Sequence, residues 1–108
     1  MQIYNKLVRD NILDIMATKG LTFESKILNK VELEKEIKEK MVEEAIEYKE
    51  SITKQNNLEE LADILELVYT ALKINNSSMQ ELEKIRLNKK VSKGGFEQGY
   101  YLIQVEDQ

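Results

Sequence analysis

The sequence predicts an all-α protein: a compact helical bundle around a central antiparallel helix hairpin, ending in a short irregular or β-like C-terminal tail. Two observations carry that expectation. The chain has no proline, and its four glycines stand at positions 20, 94, 95 and 99, so nothing between Gly20 and Gly94 breaks a helix outright. Across that span the apolar residues recur at helical spacing instead of alternating.

Taken in order, a first helix is expected from Lys6 to Lys19, with Leu7, Ile12, Ile15 and Met16 on one face and Gly20 as its stop. TFESKIL, residues 22–28, reads as extended or irregular. The second helix is expected from Val31 to Ser51. KQNN, residues 54–57, then reads as the turn of the hairpin, with Asn56 or Asn57 capping a third helix over LEELADILELVYTALKI. The run NNSS ends it. Ser78 with Glu81 three residues on forms a capping-box pattern that starts a fourth helix, SMQELEKIRLNKK. In the closing stretch KGGFEQGYYLIQV the glycines break the pattern, and YYLIQV suits a short strand or a segment lying on the bundle. No repeat or linker divides the chain, so residues 1–108 are expected to form a single domain.

Composition narrows the chemistry. There is no cysteine and no histidine, which removes thiolate nucleophiles, disulfides, imidazole bases and the usual zinc ligands. Acid–base work must fall to carboxylates, lysines, tyrosines or water polarised by a metal. A net charge of −4, from 16 Lys and Arg against 20 Asp and Glu, argues against a protein that binds nucleic acid polymers. No apolar run approaches the roughly 20 residues of a membrane span, and MQIYNKLVRD lacks the apolar core of a signal peptide, so no membrane association and a cytoplasmic location are expected.

The acids of the hairpin are unevenly placed on their helices. In the second helix Ile37, Met41, Ala45, Tyr48 and Ile52 form the expected apolar stripe; Glu44 falls about 20° outside its edge and Glu47 neighbours it, while Glu36, Glu39, Glu43 and Glu50 point further out. In the third helix Glu60 projects between Leu67 and Ala71, inside a wide apolar arc, and Asp63 sits at its margin, whereas Glu59, Glu66 and Lys73 hold the polar strip. A carboxylate leaning into a core must protonate, pair with a cationic side chain or bind a metal. Four of them at one inter-helix site, Glu44, Glu47, Glu60 and Asp63, favour a multivalent cation, although an acid–lysine network or a solvated acidic hairpin fits the spacing too. All-oxygen donors select Mg²⁺, with Mn²⁺ as a substitute.

At these residues a resemblance enters. EEAIE, then twelve residues, then ELAD resembles the Glu-Glu-x-x-Glu … Glu-x-x-Asp signature of the MazG-like all-α nucleoside triphosphate pyrophosphohydrolases, a superfamily related to phosphoribosyl-ATP pyrophosphohydrolase. YNKLVRD near the start and KGGFEQGYYL near the end resemble the flanking segments of small members. Where such members often read KLVRDKIP, this chain has Asn11 and Leu13, and Lys93 stands where arginine is expected. The resemblance implies Mg²⁺-dependent cleavage of a nucleoside triphosphate between the α and β phosphates, in a house-cleaning role on standard, modified or damaged nucleotides. It implies Glu44, Glu47, Glu60 and Asp63 as metal ligands, with Glu43 or Glu47 orienting the attacking water.

Lys6 and Arg9, three apart on one side of the expected first helix, are candidate phosphate contacts, and Lys40, one turn before Glu44, either pairs with the acids or reaches a phosphate. Arg86, Lys89, Lys90 and Lys93 run into Gly94 and Gly95, whose backbone can approach a phosphate, although a Gly-Gly pair also simply ends a helix. Phe96, Tyr100 and Tyr101 are candidates to stack on a base or to fill a core or subunit interface. The wide apolar arc of the third helix points to burial against another copy, and the resemblance implies a homodimer or homotetramer. Two other functions fit the residues: phosphoribosyl-ATP as the substrate, or a helical interaction or regulatory module without turnover.

Overall fold

The computed structural model describes residues 2–107. Four helices follow in order: α1 (Ile12–Thr18), α2 (Lys30–Glu50), α3 (Lys54–Ile74) and α4 (Met79–Lys93). The described residues contain no strand, and the all-α bundle with its central hairpin is the observed architecture. No described helix is long and apolar enough to cross a membrane.

Each boundary has a local cause. At the start of α2, Asn29 and Glu32 cap reciprocally: the Glu32 amide donates to Asn29 Oδ1 at 2.9 Å and the Asn29 amide donates to Glu32 Oε1 at 3.1 Å. Lys26 adds a bond to Glu32 Oε2 at 3.2 Å. The α1 and α3 ends close in the same way. Leu21 donates to the Met16 carbonyl and Gly20 to that of Ala17, with Gly20 at φ 76; Ser77 donates to Leu72 and Asn76 to Lys73, with Asn76 at φ 53. Both are helix stops that need a left-handed residue just past the end, which glycine and asparagine tolerate. At α4, Ser78 caps the helix as expected, accepting from the Glu81 amide at 3.2 Å, but the reciprocal bond from the Ser78 amide to the Glu81 side chain is absent, so the expected capping box is half formed.

Two expected boundaries move. The first helix begins at Ile12, not Lys6: Asn5 sits at φ 45, outside helical geometry, and Arg9 is drawn across to Asp63 on α3. Lys6 and Arg9 therefore do not share a helix face. The hairpin turn lies at Ser51–Thr53 instead of residues 54–57, because the Thr53 hydroxyl accepts from the Asn56 amide at 3.1 Å and starts α3 at Lys54. Asn57 is consumed in closing that turn, its Oδ1 accepting from Ser51 Oγ. Replacing Thr53 by alanine is expected to cost about 1 kcal/mol of stability, read as a lowered urea midpoint at unchanged slope.

Helix α2 packs along α3, and α4 contacts α3. The seam is narrow. Among the described residues Ile37 (3% exposed) is the one buried hydrophobic residue and Glu44 (6% exposed) the one buried charged residue. Ala45 and Tyr48, expected in the apolar stripe of α2, are exposed, as is Ile52 beyond its end; Ile37, Lys40, Met41 and Glu44 turn inward, Ala45 lies off that face, and Tyr48 shares the face one turn after Glu44 but is left 42% exposed. The molecule spans 63 × 35 × 28 Å, and its radius of gyration of 18.5 Å exceeds the about 13 Å of a compact domain of this length. The tail after α4 is irregular and exposed through Tyr100 to Val105, so it does not lie on this chain's own bundle.

Candidate functional site

The hairpin brings the two acidic clusters together. Carboxylate oxygens of Glu44, Glu60 and Asp63 lie within 4.8 Å of one another, and the same holds for Glu43, Glu44 and Glu47, so Glu44 belongs to both groups. Geometry explains why. Glu44 faces α3 from the inward side of α2, while Glu60 and Asp63, three residues apart, present neighbouring positions one turn apart on the half-buried face of α3. Glu47, one turn beyond Glu43, stands at the exposed edge.

The arrangement is short of positive charge. Lys40 Nζ lies 3.2 Å from Glu43 Oε1 and 3.8 Å from Glu44 Oε1, and Arg9 Nη2 donates to Asp63 Oδ1 at 2.6 Å. Those two cations face five carboxylates. Oε2 of Glu44 and Oε2 of Glu60 are both shut off from solvent with no hydrogen-bond partner. Two acceptors in that position carry a desolvation cost that only a proton or a cation relieves.

The electrostatics register the same conflict. Burial, then contact with Glu60 and Glu47, then the charges of Glu47 and Asp63 push the Glu44 carboxyl up to about 8 from an ordinary 4.5. At Glu60 the contact with Glu44 works downward, but desolvation and the charges of Glu47 and Asp63 outweigh it, and its pKa also rises. The two carboxyls thus resist being ionised side by side. Each of the two sets of three carboxylates offers only hard oxygen donors, the kind that Mg²⁺ or Mn²⁺ takes, and the set of Glu44, Glu60 and Asp63 includes both orphaned oxygens and the almost wholly buried Glu44.

The predicted substrate residues divide into two sets. Lys6 and Lys40 line an open groove of about 690 Å³ between the N-terminal segment and α2, which also includes Tyr4, Asn5, Lys35 and Glu43. Because Lys40 and Glu43 belong to both, the groove adjoins the acidic cluster, and its volume suits a small-molecule ligand. Lys6 Nζ lies over the Tyr4 ring, 5.5 Å from its centroid. Arg9 reaches the cluster directly, from an irregular segment.

Lys93, Gly95 and Phe96 belong to the other set. Lys93 closes α4, Gly95 follows it and Phe96 is 98% exposed; among the described residues no hydrogen bond or ion pair joins them to the acids. Arg86 is taken up by Glu83 on its own helix. Sequence reasoning left Tyr4 and Asn5 without a role, although they stand inside the segment YNKLVRD; no periodic pattern marks residues of an irregular segment. The chain matches no protein-family model, no curated protein and no solved structure.

Proposed function

We propose that the protein hydrolyses a nucleoside triphosphate between its α and β phosphates, with Mg²⁺ or Mn²⁺ held by Glu44, Glu47, Glu60 and Asp63. The observation that carries this reading is the buried Glu44, facing Glu60 across the hairpin with an unpartnered oxygen on each side chain. Support for a triphosphate comes from the cations around the acids, Lys6, Arg9 and Lys40, and from the three sequence segments that resemble the MazG-like pyrophosphohydrolases.

When bound, the divalent ion supplies charge neutralisation to the phosphates and polarises water. The chain's own residues do the rest. Arg9 and Lys40 stand where they can exchange a carboxylate partner for a phosphate oxygen, and Lys6 lines the groove leading there. Glu43 is engaged by Lys40, whereas Glu47 is exposed and has no ion-pair partner among the described residues. Glu47 is therefore the better placed of the two to orient the attacking water and accept its proton. The water oxygen bonds to phosphorus, the bridging P–O bond breaks, and pyrophosphate leaves with the electron pair. Lys93, Gly95 and Phe96 keep their candidacy as substrate contacts on the resemblance alone.

Anion-exchange chromatography after incubation with a panel of nucleoside triphosphates and Mg²⁺ tests the proposal. Monophosphate and pyrophosphate in equal amounts are expected, from standard, modified or damaged nucleotides according to base preference. Diphosphate plus phosphate would assign the wrong bond. Turnover of phosphoribosyl-ATP alone would keep the chemistry and change the substrate; no turnover of any of them would leave a helical interaction module.

A further inference from the structure

The groove between the N-terminal segment and α2 begins at the acids and leads away from them. It shares Lys40 and Glu43 with the acidic cluster. From there it follows α2 back to Glu36, two helical turns or about 10.5 Å before Glu43. That length is comparable to a nucleoside's, so a triphosphate seated at Glu44, Glu60 and Asp63 has room in this groove for its base and sugar.

Charge orients such a ligand. Lys6, Lys35 and Lys40 balance Glu36, Glu39 and Glu43 along the groove, which therefore offers no net attraction to a further anion. At its far end Glu36 and Glu39 outnumber Lys35, so phosphates are kept at the near end, where Lys40 and Arg9 stand. The uncharged part of a nucleotide suits what remains. Val42 and Ile46, one turn apart on α2 and both exposed, line the groove with half-buried Leu7 and the aromatic ring of Tyr4.

Tyr4 is positioned to stack. Its hydroxyl donates to Gln2 Oε1 at 3.0 Å and the Lys6 ammonium lies over its ring, which together hold the ring in place, yet the residue stays 62% exposed. Asn5, between Tyr4 and Lys6, bends the chain at φ 45, a left-handed geometry that asparagine tolerates. The wall that carries Tyr4 is tied to the site itself, because Arg9, five residues on, donates to Asp63. Nothing comparable holds the C-terminal aromatics. Phe96, Tyr100 and Tyr101 are 90% exposed or more, and among the described residues no hydrogen bond or ion pair joins them to the acids.

We propose that this groove is the nucleoside site, with the base stacked on Tyr4 and bedded on Val42 and Ile46. The proposal rests on the reading of the acids as the seat of a triphosphate, and it adds the residue that holds the base. Tyr4→Ala is expected to raise KM about tenfold or more for the standard nucleoside triphosphate turned over best, while kcat stays within about twofold. Tyr4→Phe, which keeps the ring, is expected to keep the wild-type KM. Inorganic tripolyphosphate, which has no base, is the control probe: its calorimetric Kd with Mg²⁺ is expected to be the same for Tyr4→Ala and wild type. An unchanged KM in Tyr4→Ala, or tripolyphosphate weakened as much as the nucleotide, would overturn the inference. A second measurement uses the wild-type chain. Irradiation with an azido-purine triphosphate and, separately, an azido-pyrimidine triphosphate, each with Mg²⁺, is expected to label residues 2–9 or 35–46. No label, or label confined to residues 96–105, would overturn the inference, the latter by seating the base on the C-terminal segment. Absence of turnover on every triphosphate would sink the hydrolase reading alone, and the site of the label would then decide this one.

Discussion

If the proposed function holds, Glu60→Ala is expected to lower Mg²⁺-dependent pyrophosphohydrolysis by about a thousandfold or more, since it would remove one of the carboxylates proposed to hold the ion and the triphosphate's compensating charge with it. Loss of activity alone would not separate a metal ligand from a structural residue; thermal unfolding does. Wild-type protein should gain several degrees with Mg²⁺ or Mn²⁺, by the mass-action stabilisation that any ligand of the folded state confers. Glu60→Ala should show no such gain. Without metal the variant should match or exceed the wild-type melting temperature, because Glu44 loses a like-charged neighbour and an orphaned acceptor disappears. Glu59→Ala, on the exposed strip of the same helix, should leave both readouts unchanged. A Glu60→Ala protein that keeps its metal-dependent stabilisation would remove the hairpin acids as the metal site.

The metal-free protein is expected to lose stability as pH rises through the neutral range, the reverse of the usual carboxylate behaviour. Glu44 is the cause: its folded-state pKa is raised to about 8 while the ordinary value is 4.5. Between those values the folded chain holds a proton that the unfolded chain releases, so the slope of unfolding free energy with pH is negative. This contribution is complete below about 4.5 and gone above about 8. A melting temperature measured in chelator should therefore fall by several degrees between about pH 5 and pH 8.5, and Glu44→Gln, which cannot ionise, should flatten the profile. Metal binding near neutral pH should displace the proton from Glu44, giving a calorimetric heat that changes with the ionisation enthalpy of the buffer. A melting profile in chelator that rises over this interval would show that Glu44 is ionised in the folded chain without metal.

Much of the site was legible because helical periodicity is a strict rule. Glu60 among leucines on α3 and Glu44 beside the stripe of α2 are anomalies that a projection down the helix axis exposes, and both prove to hold unpartnered oxygens. Boundaries were less legible where side chains compete to cap. Thr53, Asn56 and Asn57 can each accept from a helix start, and the choice fell to the arrangement in which Asn57 also closes the turn with Ser51. The capping pair Asn29 and Glu32 was present in the sequence as the pattern that marks a helix start, one residue before the Val31 expected there.

Local propensity and a period of 3.6 were enough for the all-α class, the hairpin, the four helices to within a few residues at most boundaries, and three of the four acids expected to lean inward, Glu44, Glu60 and Asp63. Glu47, expected with them, is exposed, and Glu43, expected to point out, is half-buried. What the tertiary structure decided is everything that depends on how one element turns toward another. It set Glu44 in the seam while leaving Tyr48, one turn further along the same face, exposed, and it drew Arg9 across 54 positions of sequence to Asp63. It also left the Leu58–Tyr69 face of α3 uncovered. Those outcomes rest on non-local contacts, in which charge balance and the area available for burial override the preferences of any single helix.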